Sequence, residues 1–299
     1  MDALTITNLK KRFGDKPVLS GVTLTVPEHS VFGFIGKNGA GKTTTMKAAL
    51  GLLEPDAGEI TVVGERVRYG QTGTNRQIGD LPDVPEFYSF MTPREYLAFC
   101  GRVTGMERGD LRRRSAELLE LVGLGEETHR IKGFSRGMKQ RLGIAQALLN
   151  RPKLLICDEP TSALDPVGRK EILDILLSAR EQTTILFSTH ILSDVERICT
   201  DVAFLHDGKI ALQGPLANIR AAHTARQYSI EVERREEVLA LLTAFPGSKA
   251  VGETQLVLQS EDQTLFELMQ FIARQRIGLL KLERLEPTLE SLFLEVVEQ

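Results

Sequence analysis

An eight-residue loop, Gly36-Lys37-Asn38-Gly39-Ala40-Gly41-Lys42-Thr43, follows the pattern G-x-x-x-x-G-K-T and constrains the fold more than any other feature. The apolar run at 30–35 before it indicates a buried strand, and residues 44–50 after it are typical of a helix. A glycine-rich loop between a strand and a helix N-terminus presents backbone N–H groups to an anion. The sequence therefore predicts a phosphate-binding loop. The alternative, a chance match, is disfavoured by the strand and helix on either side.

Each part of this loop has a predicted role in binding a nucleotide and a metal ion. Lys42 can reach the β- and γ-phosphates, and the Thr43 hydroxyl can bind Mg²⁺. The glycines let the backbone curl closely around phosphate oxygens, where a Cβ atom would clash. The candidate nucleotide-binding residues of the loop are Gly36, Asn38, Gly39, Ala40, Gly41, Lys42, Thr43 and Thr44.

Composition is that of a globular protein with room for one large domain and one small domain. The chain has 299 residues, of which 42% are hydrophobic and 26% are charged. Its net charge of −3 gives no electrostatic support for a nucleic-acid partner, so we expect none. Three widely separated cysteines indicate a reducing compartment. Neither a signal peptide nor an apolar run near the ~18 residues of a membrane span is evident, so if this chain serves a membrane we expect it to do so as a peripheral subunit.

The order of sequence patterns predicts two domains. Alternating apolar and polar residues at 4–9, 22–26 and 59–63 indicate an antiparallel sheet, and apolar runs at 153–157 and 184–187 indicate buried parallel strands. Helical patterns follow Thr92 and Pro93, a predicted N-cap and first helical residue. We expect a first domain at 1–222, with a helical subdomain at about 85–150, and a C-terminal α+β domain at 223–299. That domain has predicted strands at 228–232, 256–258 and 279–285, and predicted helices at 236–245, 264–274 and 288–297.

Three further segments occur downstream of the loop in a specific order. They are 133–141 (GFSRGMKQR), 154–165 (LLICDEPTSALD) and 188–190 (STH). With the loop, they resemble the ATP-binding subunit of an ATP-binding-cassette (ABC) transporter over roughly residues 2–222. The resemblance implies an α/β fold, a P-loop ABC ATPase cassette with an antiparallel β subdomain and an inserted helical subdomain. It also implies ATP and Mg²⁺ as cofactors.

The resemblance assigns catalytic and metal-binding roles to residues at two predicted strand ends. Asp158 would hold Mg²⁺, and Glu159 would be the general base that orients the attacking water. His190 would contact the γ-phosphate. From the residues alone, a surface Asp-Glu pair and a structural histidine remain the alternatives.

Nucleotide contacts outside the loop are also implied. Phe13 would stack on adenine, although a core phenylalanine between strands is the alternative. Ser135 would cap the following helix and, with the Gly137 N–H, contact the γ-phosphate of ATP bound to another subunit. The resemblance therefore implies a second copy of this chain as an ATP-dependent partner.

The sequence departs from the family pattern at two places. The usual L-S-G-G-Q is altered at Phe134, Arg136 and Met138, and Asp83 stands where the family has Gln. Asp83 can still bind Mg²⁺ or water, but it adds a negative charge near Asp158 and Glu159.

Residues just beyond Asp83 form a predicted apolar loop. In the family this region meets a helix of the membrane subunit. For Phe87 and Tyr88, contact with that partner and local packing are both open.

The end of the chain, 286–294 (EPTLESLFL), resembles the tail of ABC-2-type export cassettes. The resemblance implies an ATPase that drives transport, with export favoured, through a separate transmembrane permease subunit. It would lie in the cytoplasm, peripheral on the inner face of the cell membrane. The alternatives are a soluble ABC ATPase that acts without a transporter and a regulatory module that binds nucleotide without hydrolysing it.

Overall fold

The computed structural model describes residues 2–71, 73–222, 227–259, 262–285 and 289–290. The chain divides into two compact units, Met1–Leu216 and Ala217–Gln299. The division falls six residues before the domain boundary expected from the sequence, close to the start of a short helix at Leu216–Ala222.

A mainly parallel sheet is the centre of the first unit. Its strands, in chain order, are β3 (Val31–Ile35), β6 (Ile78–Leu81), β7 (Leu154–Asp158), β8 (Thr184–Thr189), β9 (Asp201–His206) and β10 (Lys209–Pro215). Their order across the sheet is β10-β9-β3-β8-β7-β6, and only the β9–β10 pair is antiparallel. Every residue of β3 and β8 is buried, because parallel strands are covered on both faces.

An antiparallel sheet covers part of this core. It contains β1 (Asp2–Phe13), β2 (Lys16–Pro27), β4 (Ala57–Val62) and β5 (Glu65–Arg66) in the order β2-β1-β4-β5. Apolar side chains of both sheets, including Leu4, Phe34 and Ile156, form one buried cluster with Met46. Burial of such side chains is worth roughly 1.5–3 kcal/mol each.

The helices of the first unit connect the strands of the parallel sheet, and three of them form an insertion. They are α1 (Lys42–Ala49), α2 (Pro93–Val103), α3 (Arg108–Leu121), α4 (Arg136–Ala147), α5 (Pro166–Ala179) and α6 (Leu192–Ile198), with single 3-10 turns at Thr74–Gln77 and Ile131–Gly133. Helix α7 (Leu216–Ala222) begins at the last residue of the first unit, and its other residues belong to the second unit. Helix α2 begins as predicted, since Thr92 caps it in a capping box with Glu95 and Pro93 is its first residue. Helices α2, α3 and α4 form the helical insertion between β6 and β7.

The second unit contains one antiparallel sheet and two longer helices among its described residues. The elements are β11 (Gln227–Val232), α8 (Arg235–Ala244), β12 (Ser248–Ala250), β13 (Gln255–Gln259), α9 (Asp262–Gln275) and β14 (Leu279–Leu285), with strand order β12-β13-β11-β14. This is a split β-α-β arrangement with its own core around Ile230, Leu241 and Leu268.

The fold class expected from the sequence is confirmed. The Asp207-Gly208 turn between β9 and β10 has positive φ at both residues, as a tight hairpin turn requires. The predicted closing helix at 288–297 and the export-type tail at 286–294 lie outside the described residues, apart from Leu289 and Glu290. None of the described helices has the length and apolar character needed to span a membrane.

Asp80 is a half-buried carboxyl on β6, the edge strand of the parallel sheet. Burial, reinforced by the charge of Asp158, raises the pKa of Asp80 to about 6, and Lys47 opposes this shift only in part. The folded chain therefore holds a proton that the unfolded chain releases near pH 4. The stability that this proton provides is present below that pH and is lost as the pH rises through about 6.

Asp80→Asn should raise the free energy of unfolding at about pH 7.5 by about 1–3 kcal/mol, because the amide needs no proton to remain neutral. The variant should also lack the loss of stability that the wild type shows between about pH 4 and 6. Urea titrations at about pH 4, 6 and 7.5, without Mg²⁺, measure both effects. Asp15→Asn, in an exposed turn, is the control. Equal pH dependence in wild type and Asp80→Asn would contradict the expectation.

Candidate functional site

A cleft of about 370 Å³ opens at the carboxyl edge of the parallel strands β3, β7 and β8. Ten predicted site residues line it: Asn38, Gly39, Gly41, Lys42, Thr43, Thr44, Asp83, Asp158, Glu159 and His190. Val18 and Ser162 complete the lining and were not predicted as site residues. The strands bring these residues together because parallel strands end at the same edge of a sheet.

The glycine loop leads from β3 directly into α1. Gly41 has a φ of +112°, and a Cβ atom there would lie 2.6 Å from Leu19 Cδ2 and 3.2 Å from the Val18 carbonyl oxygen. Glycine is therefore required at this position by conformation and by space. The turn directs the N-terminus of α1 at the cleft, where its free N–H groups favour an anion.

Lys42 is a buried cation that is held by its own loop. Its side chain is 5% exposed, and Nζ donates to the Gly36 carbonyl at 2.7 Å and the Lys37 carbonyl at 3.3 Å. Nζ also lies 3.1 Å from Glu159 Oε1. A buried ammonium needs such partners, because isolated burial of a charge is costly. The contacts place the charge at the mouth of the glycine loop.

The carboxylate of Asp158 is oriented by two hydroxyls. Thr43 Oγ1 donates to Asp158 Oδ2 at 2.7 Å, and Ser188 Oγ donates to Oδ1 at 2.5 Å. Ser188 belongs to β8, the neighbour of β7, and the two residues are in register. The resemblance assigns no role to Ser188, which belongs to the STH segment at 188–190. Its position beside His190 at a strand end is the signal that could have found it.

Glu159 connects the two sides of the cleft. It has a φ of +48°, a left-handed conformation that costs a non-glycine residue about 1–2 kcal/mol. Its backbone N–H donates to Ser188 Oγ at 3.0 Å, which supports this geometry. Its carboxylate contacts Lys42 through Oε1 and lies 2.8 Å from His190 Nδ1 through Oε2. A carboxylate held from two sides is positioned rather than free to rotate.

Asp83 is bound by two donors from other parts of the chain. Its Oδ1 accepts a hydrogen bond from Ser162 Oγ at 2.6 Å and one from Arg136 at 3.2 Å. The same guanidinium nitrogen of Arg136 lies 3.3 Å from Ser162 Oγ. The negative charge that Asp83 adds near Asp158 and Glu159 is therefore partly offset by Arg136.

The loop that contains Ser162 is fixed at several points after Glu159. Thr161 Oγ1 donates to the buried Asp194 carboxylate at 2.7 Å, and Arg169 also pairs with Asp194 at 2.7 Å. Asp165 then caps α5 by accepting from the Gly168 N–H. These contacts make the loop a defined support for Ser162.

Five predicted nucleotide-binding residues are absent from the lining of the cleft: Phe13, Gly36, Ala40, Ser135 and Gly137. Ser135 caps α4, as predicted, by accepting from the Met138 N–H at 3.2 Å. Phe13 is 52% exposed at the end of β1, with Lys11 Nζ 5.7 Å from its ring centroid. The structure therefore removes the alternative that Phe13 is a core residue.

The apolar residues beyond Asp83 divide into two groups. Phe87 packs edge-to-face on the buried Tyr96 with ring centroids 5.0 Å apart, so local packing accounts for it. Tyr88 is 50% exposed and contacts Phe90 and Phe99, which are exposed as well. We call Tyr88, Phe90 and Phe99 the aromatic surface.

The groups in the cleft fit a magnesium nucleotide. Thr43 supplies a hydroxyl oxygen, and Asp158 and Asp83 supply carboxylate oxygens, which are the donors that Mg²⁺ prefers. The described residues contain no cluster of three His, Cys, Asp or Glu that would hold a metal alone. Mg²⁺ at nucleotide sites is completed by phosphate oxygens and water, so few protein ligands suffice.

Comparisons with known proteins show the family to which this chain belongs. Residues 19–162 match the family described as ABC transporter. The uncharacterized ABC transporter ATP-binding protein YxlF of Bacillus subtilis (strain 168) is 38% identical over 98% of this chain and 99% of its own length. The Nod factor export ATP-binding protein I of Rhizobium sp. (strain N33) is 36% identical over 98% of this chain and 96% of its own. The bacitracin transport ATP-binding protein BcrA of Bacillus licheniformis is 40% identical over 72% and 70%, respectively.

One solved structure is similar to most of this chain. An ATP-binding subunit of an ABC transporter has a TM-score of 0.67 and 33% identity, and the match covers 81% of this chain and 99% of that one. ATP-binding cassettes of this family bind ATP, in general with Mg²⁺, and hydrolyse it. The phosphate-binding loop, the paired carboxylates at the end of β7 and the extent of these matches together lead to one conclusion: the chain belongs to the family of ABC transporter ATP-binding proteins.

Proposed function

We propose that this chain binds Mg·ATP in the cleft and hydrolyses it, with Glu159 as the general base. The observation that carries the proposal is the position of Glu159, 2.8 Å from His190 and 3.1 Å from Lys42 at the end of β7. Glu159 would accept a proton from the water that attacks the γ-phosphate. His190 would contact that phosphate and hold the Glu159 carboxylate in place.

The remaining groups of the site would bind and orient the nucleotide. The loop residues 36–44 would bind phosphate oxygens through backbone N–H groups and Lys42, and Phe13 would stack on adenine. Thr43, Asp158 and Asp83 would hold Mg²⁺, which neutralises the charge that develops on the phosphates.

We also propose that two copies of this chain close face to face on ATP. Ser135 and Gly137 lie at the N-terminus of α4, outside the cleft of their own chain, where they are suited to a phosphate on another copy. The complete set of catalytic groups in one sequence supports a symmetric pair with two equivalent sites.

The membrane partner would be a separate transmembrane permease subunit, with this chain at the inner, cytoplasmic face of the cell membrane. The names of the relatives, bacitracin transport and Nod factor export, support a role in export. The aromatic surface is our candidate for contact with the permease. Exposed contiguous apolar side chains mark binding surfaces, and this one begins five residues after Asp83 in the cleft.

Glu159→Gln should lower ATP turnover by ~10²–10⁴-fold while ATP still binds, because the amide keeps the shape of the side chain but accepts no proton. Steady-state hydrolysis and equilibrium ATP binding measure the two effects. Glu181→Gln, an exposed position after α5, is the control. Turnover within about twofold of the wild type would remove Glu159 from the role of base.

Lys42→Ala should act on binding instead, and weaken ATP affinity by roughly 10–100-fold, because a charge-assisted contact to phosphate is lost. Calorimetric titration with ATP measures this loss. An unchanged ATP affinity would count against the assignment of the phosphate-binding loop.

Glu159→Gln with ATP and Mg²⁺ should sediment as a dimer, because slow hydrolysis preserves the closed form. Without nucleotide, or with the additional change Lys42→Ala, the protein should sediment as a monomer. Sedimentation velocity across a range of protein concentrations measures the shift. A monomer at every concentration with ATP and Mg²⁺ would show that self-pairing is wrong.

Tyr88→Ser should reduce the stimulation of ATPase activity by the co-purified permease and leave the rate of the isolated subunit close to wild type. Tyr88 lies outside the cleft, so its replacement should weaken contact with the permease without changing the groups that bind and hydrolyse ATP. Tyr69→Ser is a matched control, since Tyr69 is also about half exposed, at 57%. Equal stimulation in Tyr88→Ser and wild type would contradict a docking role for the aromatic surface.

A further inference from the structure

The two departures from the family pattern contact each other. Arg136 is the first residue of α4, in the helical insertion, and Asp83 follows β6 and lines the cleft. Their side chains meet at 3.2 Å, and Ser162, on the loop after Glu159, joins them at 2.6 Å to Asp83. Three separate segments of the first unit are therefore tied by one carboxylate oxygen. A change at either position alone would remove the ion pair and leave the other residue with Ser162 as its contact.

The position of Arg136 at a helix N-terminus explains why it needs a negatively charged partner. A cation at the N-terminus of a helix is disfavoured by the helix dipole, whereas a carboxylate there is favoured. Asp83 therefore compensates an unfavourable charge on α4 and also connects α4 to the rim of the cleft. Both side chains are about half exposed, at 46% and 48%, so that the link is weak enough to be broken by a competing ligand.

The same carboxylate is a candidate ligand of Mg²⁺, directly or through water. Arg136 and Mg²⁺ are both cations, so each reduces the attraction of the Asp83 carboxylate for the other, and the two uses of Asp83 compete. Competition is reciprocal: the link lowers the affinity for Mg·ATP, and Mg·ATP weakens the link.

We propose that Asp83 and Arg136 form a latch between the cleft and the helical insertion, and that Mg·ATP opens it. Opening frees the Arg136 guanidinium beside Ser135, at the helix end that faces another copy in the proposed dimer. Arg136 is thereby available to a phosphate of the nucleotide bound to that copy. This inference rests on the proposed binding of Mg·ATP, and its last step rests also on the proposed dimer.

The test is a double-mutant cycle on nucleotide affinity, which does not require turnover. Arg136→Gln, Asp83→Asn and the double variant are made in a Glu159→Gln background, and binding is measured by calorimetry at dilute protein. ATP is titrated once with Mg²⁺ and once with EDTA. Loss of a positive charge by itself weakens the binding of an anion. The latch predicts the opposite sign: Arg136→Gln should tighten Mg·ATP binding by about two- to fivefold, the range of an exposed ion pair.

The tightening should need both Mg²⁺ and Asp83. It should be absent with EDTA, and Arg136→Gln should have no effect on Mg·ATP affinity when Asp83 is already Asn. Lys139→Gln removes one charge from the same helix, three residues further on, and should not tighten binding. Hydrogen exchange without nucleotide gives a second measure, since Asp83→Asn should increase exchange in the first turn of α4 by leaving the charge of Arg136 uncompensated.

The outcomes separate the latch from the proposed function. If Arg136→Gln weakens Mg·ATP binding, leaves it unchanged, or tightens it equally with EDTA or beside Asp83→Asn, the latch is wrong and the ATPase proposal stands. If the parent protein binds no Mg·ATP, the proposed function and the latch both fail.

Discussion

The register of three parallel strands sets the geometry on which the site depends. Ile35 at the end of β3 pairs with Thr189 of β8, and Asp158 at the end of β7 pairs with Ser188. Strands that end together place the glycine loop, the paired carboxylates and His190 at one edge of the sheet. A shift of one residue would reverse the faces of the strand and separate these groups. The buried apolar residues that fix the register therefore also assemble the site.

Charge within the cleft is balanced by contacts that cross between elements. Lys42 is offset by Glu159 and loop carbonyls, and Asp83 by Arg136. Hydroxyl groups of Thr43 and Ser188 hold Asp158. Because these partners come from different segments, a change at one group alters the charge and contacts of groups on other segments. A ligand that replaces one contact, such as a phosphate at Lys42, would redistribute the rest.

The two units of the chain differ in what constrains their residues. In the first unit, strained or closely packed positions such as Gly41 and Glu159 surround the cleft, where exact backbone geometry is needed. In the second unit, alternating strands and two helices enclose a core around Ile230, Leu241 and Leu268. The exporter-type tail at 286–294 lies outside the described residues, apart from Leu289 and Glu290.

Local signals in the sequence determined the phosphate-binding loop, the Asp-Glu pair after a buried strand and the capping of α2 and α4, because each depends on neighbouring residues. The class of fold followed from the resemblance to ABC cassettes that these motifs carry. Only the tertiary structure showed that Arg136 meets Asp83, that Ser162 and Ser188 complete the site, and that Phe87 is packed whereas Tyr88 is exposed. The polar contacts join residues that are 30 or more apart, and Phe87 packs on Tyr96, nine residues away on α2. Such contacts depend on how helices, strands and loops pack together, which local sequence patterns do not predict.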